Sequence, residues 1–378
     1  MKKFSIVFGL LLVSAMILGA CQPAAEPAAE APAAEEAAPA EEEVMEEDAG
    51  MAGEDFDVCL VTDSAGIGDK SFNDAVWMGL ENAMTDFGIN ANYIESKSAD
   101  DYAPNLQACV DSEPEMIVCV GFLMGDACQA SVEANPEIYY IGIDIAWLTY
   151  PNFLGVDAYM DQSCFQAGYL AAGMTETGTV ATYTGFFGPV VQIFMDGFYM
   201  GVQEYNKVKG TDVQVLGYDP ADMENATATG SWIDVDLGRQ VTEAFMDNGA
   251  DIVLPVAGNV GTGSAAVMEE RGFGYIFGVD QDWTLTNPQY TPQILGSVLK
   301  KMEVPVYNSI KKLVEEDTWI GGESFILQFS NGGTELVYND AVAVPDDLMA
   351  EVDALQAKIE SGEISSLSPE FLALYPRE

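Results

Sequence analysis

The sequence predicts an α/β protein made of two doubly wound domains with mostly parallel sheets. Short apolar runs typical of buried strands alternate with longer stretches of helical period. This alternation favours parallel sheets covered by helices on both faces. About 320 residues follow an acidic, proline-rich stretch near the N-terminus, which is enough chain for two domains of ordinary size.

The strand and helix signals give boundaries for most elements. We predict that the first helix starts at Ser71, because Ser71 with Asp74 three residues later is similar to a capping box. The helices with the clearest amphipathic period are 72–87, 162–174, 191–205 and 237–248. The predicted strands are 57–62, 92–96, 116–121, 139–144, 179–184, 212–218, 252–255, 275–280 and 294–298.

The first residues are typical of an export signal. Lys2 and Lys3 precede a short apolar core, and the sequence Leu-Gly-Ala-Cys at 18–21 resembles a bacterial lipobox. We expect 1–21 to be a lipoprotein signal peptide and Cys21 to become the lipid-modified N-terminus. An ordinary signal peptide with an incidental cysteine is the alternative. The lipobox predicts an extracytoplasmic protein held at the cell membrane only by lipid, because the apolar run is too short for a convincing membrane span.

The segment 22–55 consists almost entirely of Ala, Pro and Glu, with no Lys or Arg. Such a composition cannot bury enough apolar area to offset the entropy of ordering the chain. We interpret it as a disordered acidic linker that spaces the folded part from the membrane. An acidic binding tail is the alternative function for this segment.

Charge and composition exclude several classes of function. The formal net charge of −47 argues against nucleic acid and anionic lipid surfaces as partners. The chain contains no histidine. Ser-His-Asp and Cys-His catalysis and histidine-ligated zinc are therefore excluded. We expect a monomer that is not an enzyme and that carries no cofactor or metal.

The cysteines permit disulfides without specifying them. Five remain beside Cys21, so at least one is unpaired within the chain, and no C-x-x-C spacing indicates a metal site. Cys59 and Cys119 lie within apolar strand runs and are most simply core residues. Spacing alone does not choose partners among Cys59, Cys109, Cys119, Cys128 and Cys164.

Residues that suit a small polar ring compound follow the first strand. The run 58–74 is an apolar strand, a glycine-bearing polar loop and the start of a helix. In open α/β sheets, ligands bind where the carboxyl ends of strands meet such loops. Phe72 offers a flat face for stacking, and Asn73 can both donate and accept hydrogen bonds. Asp63 and Lys70 supply charges in the same loop.

Further candidates follow other strands. Gly121 and Phe122 open the loop after the third strand, and Asp126 can accept from a ring or exocyclic N–H group. Gly258 opens a loop of the second domain. Asp280 and Lys300, each near a strand end, could bind the hydroxyl groups of a sugar.

Two segments repeat the same order of secondary-structure elements. Each is a strand, a loop, a helix and a second strand ending in Gly-x-Asp, and the two end at Asp144 and Asp280. They are either unrelated βαβ units or two similar domains that face each other and contribute carboxylates from their strand ends.

These motifs together resemble the basic membrane protein family of lipoproteins, which includes purine nucleoside receptors of ABC transporters. The most specific match is 61–73, which ends in Asp-Lys-Ser-Phe-Asn. Weaker matches at 120–127, 166–172, 249–253, 278–280 and 299–307 keep the family's order and spacing.

The resemblance implies a type I periplasmic-binding-protein fold, with two α/β domains joined by three crossing segments and the ligand in the cleft. We assign 56–158 with 284–326 to the N-terminal lobe, and 159–283 with 327–378 to the C-terminal lobe. The implied ligand is a purine nucleoside (adenosine, inosine or guanosine), and the implied partner is an ABC transporter permease.

The resemblance also implies a role for individual residues. Phe72 would stack on the purine, and Asn73 and Asp126 would contact the base edge. Asp280 and Lys300, with backbone near Gly258, would hold the ribose.

The chain departs from the family at the second stacking face. The family often has an aromatic residue in the strand before the Gly258 loop, where this chain has Ile-Val-Leu-Pro-Val. Phe187, Phe194, Trp283 or an aliphatic side chain would have to replace it.

Three other functions compete with nucleoside capture: a receptor for a sugar or another small polar solute, a nucleoside-cleaving enzyme using Asp280 and Asp282, and a signalling or surface-interaction protein. The grouping of an aromatic, an amide and carboxylates favours a heterocyclic ligand over a bare sugar.

Overall fold

The computed structural model describes residues 53–377. The predicted signal peptide, the lipidation site Cys21 and the linker up to residue 52 lie outside the described residues. The described strands are β1 (Asp57–Val61), β2 (Asn90–Ile94), β3 (Met116–Val120), β4 (Tyr139–Ile143), β5 (Phe153–Ala158), β6 (Thr179–Thr184), β7 (Gln214–Leu216), β8 (Ile252–Val256), β9 (Tyr275–Asp280), β10 (Ile294–Lys300), β11 (Ser324–Leu327) and β12 (Thr334–Tyr338).

The helices match the predicted periodic segments closely where these were assigned. The helix predicted at 72–87 has those bounds in the structure, and the other three differ by at most a few residues at their ends. The described α-helices are α1 (Phe72–Phe87), α2 (Tyr102–Asp111), α3 (Gly125–Ala134), α4 (Asp161–Met174), α5 (Pro189–Lys209), α6 (Val235–Asp247), α7 (Gly261–Arg271), α8 (Trp283–Thr286), α9 (Glu303–Glu316), α10 (Asp346–Glu360) and α11 (Pro369–Leu374).

The strands form two six-stranded sheets, which confirms the predicted α/β class. The first sheet has the order β11-β5-β4-β3-β1-β2 and is parallel throughout. The second has the order β12-β10-β9-β8-β6-β7, and β12 runs antiparallel at its edge. We call the sheets with their helices the first lobe and the second lobe.

Three strands were not predicted, namely β5, β11 and β12. The last two are short edge strands of their sheets, with partly exposed residues. Their apolar signal is weak because an edge strand need not be buried on both faces.

The chain crosses between lobes three times. It passes from β5 into α4, from β10 into α9, and from β11 into β12. Helix α9 belongs to the first lobe, because Tyr307 contacts α1 through a hydrogen bond to Asp86 and a ring contact with Phe87.

The expected lobe boundary at 284 is wrong. The strand β10 pairs in parallel with β9 in the second sheet, so 284–300 belongs to the second lobe. The second crossing therefore lies between Lys300 and Glu303. Strand β10 is also longer than the predicted strand 294–298, because it continues to Lys300.

Two disulfides join one face of the first sheet to its helices. Cys59 in β1 pairs with Cys109 in α2, and Cys119 in β3 pairs with Cys128 in α3. Cys59 and Cys119 are core residues, as expected, and they are also bridged. Cys164 is a free, buried thiol in the second lobe.

We predict that the two disulfides contribute unequally to stability. They close loops with sequence separations of 50 and 9 residues. Removing the first by replacing Cys59 and Cys109 with Ala should lower the unfolding free energy by about 4 kcal/mol. Replacing Cys119 and Cys128 should lower it by about 3 kcal/mol, because opening a shorter loop restores less entropy to the unfolded chain. Denaturant titration of the two double variants measures the difference. A larger loss from the shorter loop would contradict this order.

Candidate ligand-binding site

The strand-end loops of both lobes enclose one cavity. It measures about 620 Å³, counting the space at its mouth that is open to solvent, which lies within the range of small-molecule sites. The first lobe lines it with Asp63, Ala65, Asp69, Phe72, Gly121, Phe122, Leu123 and Asp144. The second lobe lines it with Val190, Val191, Phe194, Trp232, Val256, Ala257, Gly258, Val279, Asp280 and Lys300.

The structure brings most of the sequence-predicted site residues to this cavity. Those that line it are Asp63, Phe72, Gly121, Phe122, Asp144, Phe194, Gly258, Asp280 and Lys300. The lining also includes Asp69 and Trp232, which sequence reasoning missed.

Lys70, Asp126 and Phe187 are exposed and do not line the cavity. Asp126 lies in the first turn of α3, where a carboxylate is favoured by the helix dipole. The expectation that it contacts a base edge is not met by its position in this structure. Phe187 is 48% exposed and also lies outside the cavity. It therefore does not form a second stacking face in this structure.

Asn73 is buried behind the cavity wall. Its amide group donates to Asp63 Oδ1 at 2.8 Å and to Asp69 Oδ2 at 2.9 Å, and its Oδ1 accepts from the backbone N–H of Asp63. Because its side-chain donors and its oxygen already have these partners, Asn73 orients two cavity carboxylates. Asn73 does not itself line the cavity, so in this structure it lies behind the carboxylates and not at the position expected for contact with the base edge.

Asp69 holds the start of α1. Its carboxylate accepts from the backbone N–H groups of Ser71, Asn73 and Asp74, at 3.0, 2.8 and 3.1 Å. The predicted capping box is wrong, because the Ser71 side chain makes no capping bond. An aspartate two residues before Ser71 is itself a turn signal, and it could have identified this cap.

Asp144 and Asp280 occupy equivalent positions in the two lobes. They follow or end β4 and β9, each the third strand of its sheet, and both have left-handed backbone, with φ of 60° and 67°. Aspartate is one of the few residues found in this region with any frequency. Both line the cavity. The repeated Gly-x-Asp segments are therefore matching parts of two facing lobes, the second of the two alternatives.

Polar contacts span the cavity between lobes. Lys300 Nζ donates to Asp144 Oδ1 at 2.5 Å, and both side chains are almost fully buried. Ser71 Oγ donates to Asp280 Oδ2 at 2.6 Å, and Gln281 Nε2 donates to the Ser71 carbonyl at 2.8 Å. The lobes are thus joined by charged and polar groups at the cavity itself.

Burial raises the pKa of the cavity carboxyls. It raises the pKa of Asp63 to about 6, although hydrogen bonds from Asn73 and Ala65 act in the opposite direction. It raises the pKa of Asp144 to about 6 against the nearby charge of Lys300. It also raises the pKa values of Asp69 and Asp280. With one ammonium among these carboxyls, the cavity suits an uncharged ligand rich in hydroxyl or N–H donors better than an anion.

Aromatic rings enter the cavity from both lobes. The Lys300 ammonium lies 5.2 Å from the ring centroid of Phe72 and 5.8 Å from that of Phe194. Trp283, a third candidate for the second face, is buried, and its indole N–H bonds to the Val279 carbonyl. It does not line the cavity.

Gly121 permits a close approach of the loops. Its φ is +103°, and a side chain added there would meet Asp63 and the ring of Phe72. A glycine at this position therefore lets the β3 loop pack against the β1 loop and expose Phe72 to the cavity.

The described residues offer neither a metal centre nor a membrane span. Within 53–377, no group of three or more Cys, Asp or Glu side chains is arranged to hold a metal ion. No helix in this part of the chain has the length and apolar character needed to cross a bilayer.

Two doubly wound lobes, three crossings and a cavity at their facing strand ends define a type I periplasmic-binding-protein fold. Residues 56–369 match the Bmp family model, described as ABC transporter substrate-binding protein PnrA-like. The chain therefore belongs to the Bmp family of ABC transporter substrate-binding proteins, which confirms the resemblance found in its motifs.

Relatives support this assignment. The chain is 28% identical over 311 residues to basic membrane protein A1 of Borrelia garinii subsp. bavariensis, covering 81% of this chain and 87% of the relative. It is 25% identical over 325 residues to the ABC transporter nucleoside-binding protein BmpA of Lactococcus lactis subsp. cremoris, covering 81% and 88%.

Solved structures share the fold. An ABC transporter system solute-binding protein from Aeropyrum pernix K1 is similar with a TM-score of 0.72 and 26% identity, over 82% of this chain and 92% of that one. A solute-binding protein from Conexibacter woesei has a TM-score of 0.64 and 19% identity, over 84% and 99%, and shows the fold alone.

We predict that Asp63→Asn stabilises the protein in a pH-dependent way. The pKa of Asp63 rises from 3.8 to about 6 on folding, so its ionised form costs stability above that pH, and the cost disappears as the pH falls. Asparagine keeps the two bonds that Oδ1 accepts, from Ala65 and Asn73. The melting temperature of Asp63→Asn should exceed that of the wild type at about pH 8, and the gap should close near about pH 4.

Asp126→Asn is the matched control, since Asp126 is an exposed aspartate in the first turn of α3 in the same lobe. It should show no comparable change of the gap with pH. A gap for Asp63→Asn that stays constant between the two pH values would contradict the assigned cause.

Proposed function

We propose that this protein captures a purine nucleoside between its lobes and delivers it to an ABC importer from the extracytoplasmic face of the membrane. The observation that carries the proposal is the composition of the cavity. It combines the ring of Phe72 on one lobe with the carboxylate of Asp280 and the ammonium of Lys300 on the other. The Lactococcus relative is named as a nucleoside-binding protein, which supports the same ligand class.

The base and the sugar would be bound by different parts of the cavity. The ring of Phe72 stacks on the base, and the carboxylates of Asp63 and Asp69 accept from its N–H groups. Asp280 accepts from ribose hydroxyls, and Lys300 donates to them. The backbone near Gly258, which has positive φ, comes close to the ribose.

Neutral ligands fit this electrostatic environment. Lys300 is already paired with Asp144 and cannot neutralise a phosphate without leaving a buried carboxyl unpaired. Ribose hydroxyls can be bound without breaking this ion pair, because the paired ammonium and a carboxylate can still form hydrogen bonds with them.

Capture would proceed by hinge motion at the three crossings. Ligand contacts on both lobes favour the closed arrangement over an open one, since only the closed arrangement forms them all. The permease then recognises the closed form. The lipobox at 18–21 would keep this receptor near the importer.

A two-carboxylate hydrolase is less consistent with the geometry. Asp282 accepts from the backbone N–H and the hydroxyl of Thr284, which places it at the start of α8. It does not line the cavity beside Asp280. Release of hypoxanthine from inosine incubated with the protein would revive this alternative.

The first prediction of the proposal concerns Phe72. Replacing it with Ala removes the stacked ring and should weaken inosine or adenosine binding by about 1–3 kcal/mol, the usual cost of losing an aromatic partner of a base. Isothermal titration calorimetry measures the affinity. Phe187→Ala, which truncates an exposed ring of the same type outside the cavity, is the control and should bind normally. Unchanged affinity in Phe72→Ala would remove the proposed stacking role.

The second prediction concerns the ribose. If Asp280 and Lys300 hold it, adenosine should raise the melting temperature far more than adenine at equal concentration, because stabilisation follows occupancy. A thermal-shift series with nucleosides, free bases and sugars measures this. Equal shifts from adenine and adenosine would contradict ribose recognition, and a shift from sugars alone would favour the sugar-receptor alternative.

A further inference from the structure

We propose that Cys119 and Cys128 are positioning residues of the ligand site, and that their disulfide holds the loop between β3 and α3 in its binding conformation. This inference rests on the proposed function. The bridge encloses residues 120–127. The three cavity-lining residues Gly121, Phe122 and Leu123 all lie within that short ring.

The enclosed loop contacts both lobes at the cavity. A Cβ atom built on Gly121 would lie 3.3 Å from Asp63 and 3.6 Å from the ring of Phe72, so the loop packs closely on the neighbouring loop of the first lobe. A Cβ atom built on Gly188 of the second lobe would lie 2.8 Å from the ring of Phe122. A shift of this loop would therefore change the cavity wall and a contact between the lobes together.

The neighbouring loop, between β1 and α1, is held by its own hydrogen bonds. The carboxylate of Asp74 accepts from the backbone N–H groups of Gly68 and Lys70, at 2.7 and 2.9 Å. Glu95 Oε1 accepts from the backbone N–H of Ile67 at 3.1 Å. With the aspartate cap at the start of α1, these bonds hold the loop in place without a covalent link.

The loop between β3 and α3 is held differently. In the part of the chain that the structure describes, no side chain forms a hydrogen bond with the backbone of 121–127, and none caps the start of α3. The backbone N–H of Gly121 donates to the Ile143 carbonyl and that of Met124 to the Gly121 carbonyl, both at 3.0 Å. The disulfide is the one covalent link between the two ends of this loop other than the chain itself.

A covalent link across the loop reduces the number of conformations open to it before a ligand binds. A loop that is already in its binding conformation loses less entropy on binding, and the affinity is correspondingly higher. Loss of the bridge should therefore weaken binding although every group that contacts the ligand is still present.

The disulfide between Cys59 and Cys109 provides a matched control. All four cysteines are almost completely buried, so both double variants remove two buried sulfur atoms from the same lobe. The ring closed by Cys59 and Cys109 contains the β1–α1 loop, which its own hydrogen bonds hold. Its loss should lower stability with little effect on affinity.

The test is titration calorimetry with inosine. We expect Cys119→Ala/Cys128→Ala to weaken binding about 5-fold and Cys59→Ala/Cys109→Ala to weaken it less than about 2-fold, the size expected when one or two side chains must be ordered on binding. The variant that loses less stability should thus lose more affinity. A purely structural role would give the opposite order.

A second variant separates the link from the packing. Cys119→Val/Cys128→Ala restores apolar volume in β3 without restoring the bridge, and we expect it to bind as weakly as Cys119→Ala/Cys128→Ala. Recovery of wild-type affinity in this variant would assign the effect to packing and overturn the inference.

Hydrogen exchange in the ligand-free protein is the measurement that needs no nucleoside. Amide groups of 121–127 should exchange faster in Cys119→Ala/Cys128→Ala and at the wild-type rate in Cys59→Ala/Cys109→Ala. Unchanged exchange in the first variant, or unchanged inosine affinity in it, would overturn this inference alone. A wild type that binds no nucleoside would overturn the proposed function, and the role in nucleoside binding with it.

Discussion

The buried ion pair between Lys300 and Asp144 is the contact on which the arrangement of the lobes most depends. It joins the last residue of β10 in the second sheet to the residue that follows β4 in the first. A buried pair of this kind is costly to break by removing one partner, by about 3–5 kcal/mol, because the other charge stays buried and uncompensated. It therefore specifies the relative position of the two strand ends, and with them the walls of the cavity.

The rest of the site is arranged around that pair. Asp280 repeats the position of Asp144 on the opposite lobe and accepts from Ser71. The rings of Phe72 and Phe194 flank the ammonium. Acceptors and aromatic faces thus converge on a small volume contributed by both lobes, so a ligand that contacts all of them must also hold the lobes together.

The sequence predicted those features of the fold and site that depend on residues close together in the chain. The helix at 72–87 and the strand-end positions of Asp63, Gly121 and Asp280 follow from apolar periodicity and loop composition. The partners of Asn73 could not be predicted in this way, because Asp63 and Asp69 reach it only after the loop folds back on itself. Trp232 was missed for a related reason, since its loop gains order from pairing with β6, which sequence periodicity does not encode. The disulfide partners depend on which helices cover one face of the sheet.

The order of the strands has a consequence for how the chain is made. The first sheet begins with β1 yet is complete only when β11 (Ser324–Leu327) joins its edge, and α1 is covered by α9 from the same late part of the chain. A nascent polypeptide grows from its N-terminus, so neither lobe can finish before nearly the whole molecule exists. Until then the edge of β5 and the apolar side of α1 remain uncovered. Exposed edges and apolar faces of this kind favour association during synthesis, and a truncation before β11 would leave both lobes incomplete.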